Sequence, residues 1–251
     1  MKKASVLFMI VVSTATVLFA QGMTDKNSKD FSLCGSLAYG FGVGGQWIDE
    51  SVKYNGAAIQ DKSDKYLNYG DGFKLELGGM YKLMEYLDAQ AVFSYNAGVP
   101  SIEAVNQNVV PGTQVTNTYK TNTFGIKAMV LPRVKILDLL DMYTGFGLGL
   151  YFGWLSWTNS ETTFDGNYKT SPALAFCGTI GANYPVYNDL ILYGEIALEQ
   201  MSFTITSILS ALDGRQTNFE QDSKATSGVL PPDKIPGSNV AFRVGVKFPI
   251  F

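Results

Sequence analysis

Phe31-Ser-Leu-Cys-Gly-Ser-Leu-Ala-Tyr-Gly-Phe-Gly-Val-Gly-Gly-Gln-Trp47 is the stretch that decides the fold. Its odd positions carry Phe31, Leu33, Leu37, Tyr39, Phe41, Val43 and Trp47. Its even positions carry Ser32, Cys34, Ser36, Ala38, Gly40, Gly42, Gly44 and Gln46. Successive side chains of a strand point to opposite faces, so such a segment has one greasy face and one small or polar face. That division suits a sheet with lipid outside and a narrow lumen inside.

Seven further segments repeat the alternation. The second puts Phe73, Leu75, Leu77, Tyr81 and Leu83 outward against Lys74, Glu76, Met80 and Lys82. The third puts Leu87, Ala89, Ala91, Phe93 and Tyr95 outward against Asp88, Gln90, Ser94 and Asn96. The fourth sets Phe124, Ile126, Ala128 and Val130 against Lys127 and Arg133. The fifth sets Met142, Phe146, Leu148, Leu150, Phe152 and Trp154 against Tyr143, Gly145, Gly147, Gly149, Tyr151 and Gly153. Leu174, Phe176, Ile180 and Tyr184 mark the sixth, and Leu190, Leu192, Ile196 and Leu198 the seventh. Val240, Phe242, Val244, Val246 and Phe248 mark the eighth.

Connection lengths alternate. Those at 84–86, about 134–141 and 185–189 are short, whereas 49–71, 98–121, 155–171 and 202–238 are long and polar. Tight turns at one end and extended loops at the other characterise outer-membrane barrels. The fold class expected is therefore all-β: an eight-stranded antiparallel up-and-down transmembrane β-barrel with long extracellular loops. Outward aromatics near strand ends form girdles, with Phe73, Tyr95, Phe124 and Trp154 on the loop side and Phe31, Tyr81 and Tyr184 on the turn side. A soluble lipocalin-like barrel would need its large apolar residues inside, whereas the inner set here is Gly, Ser, Lys, Glu and Arg.

Lys2 and Lys3, an apolar run from Ala4 to Phe19 and small residues at Ala20 and Gly22 form a secretory signal peptide over residues 1–22. Cleavage follows Ala20 or Gly22, the second placing small residues better. The barrel domain then spans 31–251. Removing Lys2 and Lys3 from 19 basic residues leaves 17 against 22 acidic ones, a mild acidity without basic clusters that argues against nucleic-acid binding. The chain has no histidine, so neither a Ser-His-Asp triad nor a histidine-ligated metal can be assembled. No enzymatic activity, cofactor or metal is expected. Gly145-x-Gly147-x-Gly149 lacks the spacing and helix of a dinucleotide fingerprint; inward glycines instead give smooth walls for long side chains. Cys34 and Cys177, on the first and sixth strands, are expected as free thiols facing the lumen.

Parity directs ten charges inward: Lys74, Glu76, Lys82, Asp88, Lys127, Arg133, Glu195, Glu199, Arg243 and Lys247. Unpaired burial would cost several kcal/mol each, on the order of the effective penalty for a buried ion, so they form ion pairs or line water. Heights counted from the turns predict the pairs Lys82 with Asp88, Glu199 with Arg243, and Glu195 with Lys247. The network plugs the barrel, or it forms a switchable gate or a narrow pore. Pro132 predicts a bulge or the end of its strand. Ser207 to Gly214, with a serine cap, apolar residues at 208, 209 and 212 and a closing glycine, predicts one or two helical turns in the last loop.

The fifth strand, Tyr143-Thr-Gly145-Phe-Gly147-Leu-Gly149-Leu, and the C-terminal Val244-Gly-Val-Lys-Phe248-Pro-Ile-Phe251 resemble the small outer-membrane β-barrel family of OmpA-like and OmpX-like proteins of diderm bacteria, over about 31–251. The resemblance implies multi-pass location in the outer membrane, a monomer, and recognition by the barrel-assembly machinery through a terminal aromatic, here Phe251 with Phe248. The function it implies is a membrane-embedded scaffold presenting surface loops to an unidentified ligand. The alternative is a small pore or an OmpW-like conduit for small or hydrophobic molecules.

Overall fold

A computed structural model describes residues 30–55, 58–98, 101–107, 114–136, 140–160, 165–187, 190–210, 216–218 and 234–250. The signal peptide, residues 211–214 of the expected helix and Phe251 lie outside them. The strands are β1 (Phe31–Gly42), β2 (Gln46–Asn55), β3 (Ala58–Leu67), β4 (Gly72–Met84), β5 (Leu87–Ala97), β6 (Ile102–Gln107), β7 (Gln114–Lys135) and β8 (Asp141–Asn159), followed by β9 (Asp165–Thr170), β10 (Ala173–Tyr187), β11 (Leu190–Gln200), β12 (Ser202–Ser210), β13 (Gln216–Asn218), β14 (Lys234–Pro236) and β15 (Asn239–Pro249).

Eight of them close a ring in the order β1-β4-β5-β7-β8-β10-β11-β15, sealed by antiparallel pairing of β15 with β1. Closure leaves no open edge in the hydrocarbon layer, where an unpaired backbone group costs several kcal/mol on the order of a buried polar amide. Register follows the parity read from sequence: Leu37 lies opposite both Leu75 on β4 and Val244 on β15. These make one continuous greasy surface. Leu37 is 68% exposed and its neighbour Ala38 only 4%. The same outward exposure holds for Phe73, Phe93, Phe146, Leu148, Phe176, Leu198 and Phe248. A surface this apolar on all sides is soluble only in lipid.

The long connections are not irregular loops. β2 and β3 form a hairpin, β6 pairs with β7, β9 joins β8 to β12, and β13 and β14 flank β12. The sheet therefore continues above the girdle. The opening stretch is two elements, because the chain bends at Val43–Gly45, where Gly44 takes φ 76°, a left-handed value that suits glycine. The helix expected from Ser207 is absent over its described part: Ser207 to Ser210 belong to β12, held by β9 and β13. Pairing on both sides overrides the weak helical spacing.

Pro132 neither ends its strand nor makes a bulge. It stays opposite Leu87, and β7 runs on to Lys135. Only the ladder to β8 is interrupted, between Val130 opposite Phe146 and Arg133 opposite Tyr143, with register unchanged. The gap sits where proline has no N–H to give. The oddly apolar 134–141 segment is partly strand, since β7 continues to Lys135 and β8 starts at Asp141.

Candidate functional site

The lumen is filled in layers. At its centre, Glu199 on β11 accepts from Lys74 Nζ at 2.6 Å, from Lys127 Nζ, the Tyr151 hydroxyl and Asn239 Nδ2 at 3.1 Å each. Glu76 on β4 accepts from Lys127 Nζ at 2.8 Å and Arg243 Nη2 at 2.9 Å. Arg243 also pairs with Glu195, which accepts from the Tyr143 hydroxyl at 2.7 Å. Lys74 donates a second bond to Asn239 Oδ1 at 2.8 Å. Three cations thus face three carboxylates, all buried. A balanced set bound this densely offsets the desolvation of its members.

Glycines make the room. A side chain at Gly125 or Gly149 would strike the Tyr151 ring; one at Gly181 would meet Tyr143, and one at Gly245 would meet Tyr193. Inward glycines therefore seat aromatic rings, of which Tyr143 and Tyr151 reach the carboxylates with their hydroxyls, more than they smooth the wall for lysines. Lys247 lies in such a box: its Nζ donates to Asn183 Oδ1 at 2.7 Å and sits 4.5 Å and 4.8 Å from the Tyr143 and Tyr193 ring centres.

Of the ten expected lumen charges, Lys74, Glu76, Lys127, Glu195, Glu199 and Arg243 form this network. Of the three expected pairs one occurs, Glu199 with Arg243, and the other two are corrected. Arg243 lies opposite Glu195 and Asn239 opposite Glu199, while Lys247 faces Ile191. Glu199 and Arg243 still approach to 3.9 Å, but Glu195 and Lys247 do not pair. Counting heights from the turns ignored the stagger that barrel closure imposes. Lys82 is opposite Asp88 in register yet exposed at the turn, and the ion partner of Asp88 is Arg133 at 3.7 Å. Cys34 and Cys177 are buried free thiols.

The inner set is less polar than the parity reading had it. Toward the short turns Met80, Met129 and Leu131 pack inside. Above the charges Tyr69, Phe203, Met201, Ile235 and Leu155 form an apolar cap, with the Tyr69 and Phe203 rings 4.6 Å apart. Tyr143 and Tyr151 were visible as inward tyrosines whose hydroxyls need partners. Tyr69 and Phe203 carried no such signal, because both stood in segments read as polar loops.

Above the cap, Asp49 Oδ2 accepts from Asn117 Nδ2 and from the Tyr119 hydroxyl, each at 2.9 Å. Tyr119 stacks on Trp157, and burial, then the bond to Asp49, pushes its phenol well above the usual range. This core stiffens the extension. A polar cavity of about 430 Å³ opens between β2, β3 and β6, lined by Ser51, Lys53, Asp61, Ser63, Lys65 and Glu103 among others.

A closed ring of eight tilted strands, greasy outside and salt-bridged inside, with short turns at one end, is the architecture of the bacterial outer membrane. The chain is an outer-membrane β-barrel. The chain is similar to several solved structures. Neisserial surface protein A is 12% identical, with a TM-score of 0.45 over 89% of this chain and 98% of the other. The outer membrane protein OprG from Pseudomonas aeruginosa is 10% identical, with a TM-score of 0.47 over 87% and 94%. A major outer membrane protein from Thermus thermophilus is 15% identical, with a TM-score of 0.49 over 87% and 98%. No protein-family model and no curated protein sequence matches the chain.

Proposed function

We propose that the protein is a non-enzymatic, non-conducting scaffold of the outer membrane that holds a stiff β-sheet extension at the cell surface. The observation that supports it is the filled lumen: Lys74, Lys127, Glu76, Glu199 and Arg243 are buried in one bonded cluster beneath the cap of Tyr69 and Phe203. An eight-stranded interior is just wide enough for side chains to fill. The extension, built by β2, β3, β6, β9 and β12 on β7 and β8, is the surface that a ligand would meet.

The protein reaches that location by export. Residues 1–22 are removed, Phe248 and Phe251 present the terminal strand to the assembly machinery, and the barrel works as a monomer surrounded by lipid. N-terminal sequencing of protein from fractionated cells should read from Met23 or Gln21; Met1 retained in the inner membrane would overturn this. Planar-bilayer recordings on refolded protein should be silent. Steady openings would favour the transport reading, a small pore or a conduit, over the scaffold.

A further inference from the structure

We propose that the outer edge of β3 is a self-recognition strand, through which the extension pairs antiparallel with a second copy of this chain standing on a facing membrane. The inference rests on the scaffold reading above and names the partner that the extension meets.

β3 is bonded to β2 on one side, and among the described residues no strand pairs with its other side. Such an edge offers alternate N–H and C=O groups to an incoming strand, and charged side chains ordinarily discourage the pairing. Here the charges select the partner. Residues 61–65 read Asp-Lys-Ser-Asp-Lys, with Asp61, Lys62, Ser63 and Asp64 exposed and Lys65 half-buried. Opposed residues of an antiparallel ladder turn their backbone groups the same way, both toward the shared edge or both away from it. A strand meeting its own copy therefore pairs residues of like parity, and the two-fold axis passes through one residue set opposite itself. An axis at Asp61 or Asp64 would oppose a carboxylate to itself, and one at Lys62 or Lys65 an ammonium to itself. Only an axis at Ser63 avoids this within the segment. It sets Asp61 against Lys65 and Lys62 against Asp64, each in both directions, so every charge meets its opposite. The ladder with β2 is regular from Asp61 to Lys65, so the parity holds throughout.

The hairpin itself is built for that neighbour. Lys53 lies opposite Asp61 and Asp49 opposite Lys65. With a second copy in the Ser63 register, one row across four strands reads Lys53, Asp61, then Lys65 and Asp49 of the second copy, alternating in sign. On the other face Glu50 lies opposite Asp64, a like-charge pair that destabilises a ladder. Lys62 pairs with Glu50 at 2.7 Å, whereas Asp64 has no ion pair among the described residues. Lys62 of the second copy falls opposite Asp64 and supplies the missing cation.

Strand direction decides where that copy stands. β2 runs parallel to β6, β6 is laddered to the upper part of β7, and β7 passes unbroken from Gln114 to Lys135 into the barrel. The hairpin therefore rises from the membrane along the barrel strands. Two copies in one membrane are related by an axis along the membrane normal, which keeps rising strands pointing the same way. Antiparallel pairing instead needs copies that point toward each other, from two apposed outer membranes. Within one membrane the barrel stays a monomer.

The test uses full-length mature protein refolded into two populations of phosphatidylcholine vesicles, one carrying a donor and one an acceptor lipid dye. The short-turn end crosses a preformed bilayer, so the extension stands outside, which protease access checks. Energy transfer should rise as wild-type vesicles cluster. Asp61→Lys with Asp64→Lys makes the edge all cationic, and Lys62→Asp with Lys65→Asp makes it all anionic. Each variant alone should cluster about tenfold less than wild type, because attractive cross-strand pairs become repulsive ones. Mixing the two variants should restore clustering, which misfolded protein could not do. Exchanging all four charges, Asp61→Lys/Lys62→Asp/Asp64→Lys/Lys65→Asp, leaves net charge unchanged; this variant should cluster with itself and not with wild type. Ser63→Cys, on the axis, should form oxidant-dependent dimers between a tagged and an untagged population, and Gln60→Cys, off the axis, should not. Failure of wild-type vesicles to cluster, wild-type clustering by either single-sign variant, or cross-links confined to one population would overturn the facing pair. Clustering of the four-charge exchange with wild type would overturn the register. Those outcomes leave the scaffold reading standing, whereas steady currents in planar bilayers alongside clustering would overturn that reading and leave the pair.

Discussion

Glu199 shows what a narrow barrel demands of a charged residue. Both its oxygens are spoken for by Lys74, Lys127, Tyr151 and Asn239, so none of its four partners can leave without exposing a buried charge. Lys127→Met should therefore destabilise the barrel by about 3–5 kcal/mol in equilibrium unfolding from liposomes, because Glu76 and Glu199 each lose a cation. Adding Glu76→Gln should restore part of that loss. Additivity within about 0.5 kcal/mol would show that the two do not interact. Glu195→Gln with Lys247→Met should be additive on the same scale, since register sets Lys247 opposite Ile191 and its bond goes to Asn183. Parity alone made most of the buried charges legible, though it also sent Lys82 inward, and that residue lies exposed at the turn. Which charge meets which was not legible, because barrel stagger is a property of closure that no single strand records.

The element that best reports depth is β8, which crosses from the short-turn end at Asp141 through Leu148 to the girdle at Trp154 and on into the extension. Leu148→Arg, at mid-strand and half exposed to lipid, should cost about 2–4 kcal/mol in bilayers. Phe152→Arg, nearer the girdle, should cost less, and equal costs would mean that Leu148 is not at the midplane. Gly147→Ala is no mild comparison, although its position faces the lumen. The added methyl would meet the Ala128 carbonyl oxygen and the Met129 backbone, so overpacking of about 1–3 kcal/mol is expected from the same unfolding measurement. The barrel halves of β7 and β8 could be read because lipid enforces strict alternation. Their upper halves could not: Thr116, Asn117, Ser156 and Thr158 are polar on a wet, twisted sheet where neither face must be greasy. The hairpin of β2 and β3 was hidden for the same reason, since Asp49, Glu50, Lys53, Asp61, Lys62, Asp64 and Lys65 interrupt any apolar alternation.

At the scale of the whole molecule, two layers of side chains fill the barrel. The charge layer occupies its middle and the cap of Tyr69, Phe203, Met201 and Ile235 its loop-side mouth, each drawn from different strands. Two independent barriers predict a specific pattern of conductance. Phe203→Ala should thin the cap, at a cost of about 3–5 kcal/mol, yet planar-bilayer recordings should stay silent because the Glu76, Lys127, Glu199 and Arg243 cluster still fills the bore. Arg243→Ala with Glu76→Ala removes bulk from the charge layer while keeping its charge balance, and should also be silent beneath an intact cap. Only the combination should open steady currents, in protein shown to be folded by its heat-dependent gel mobility. If Phe203→Ala alone conducts, the charge layer is no seal and the lumen is a gated path, which would move the function from scaffold to transport.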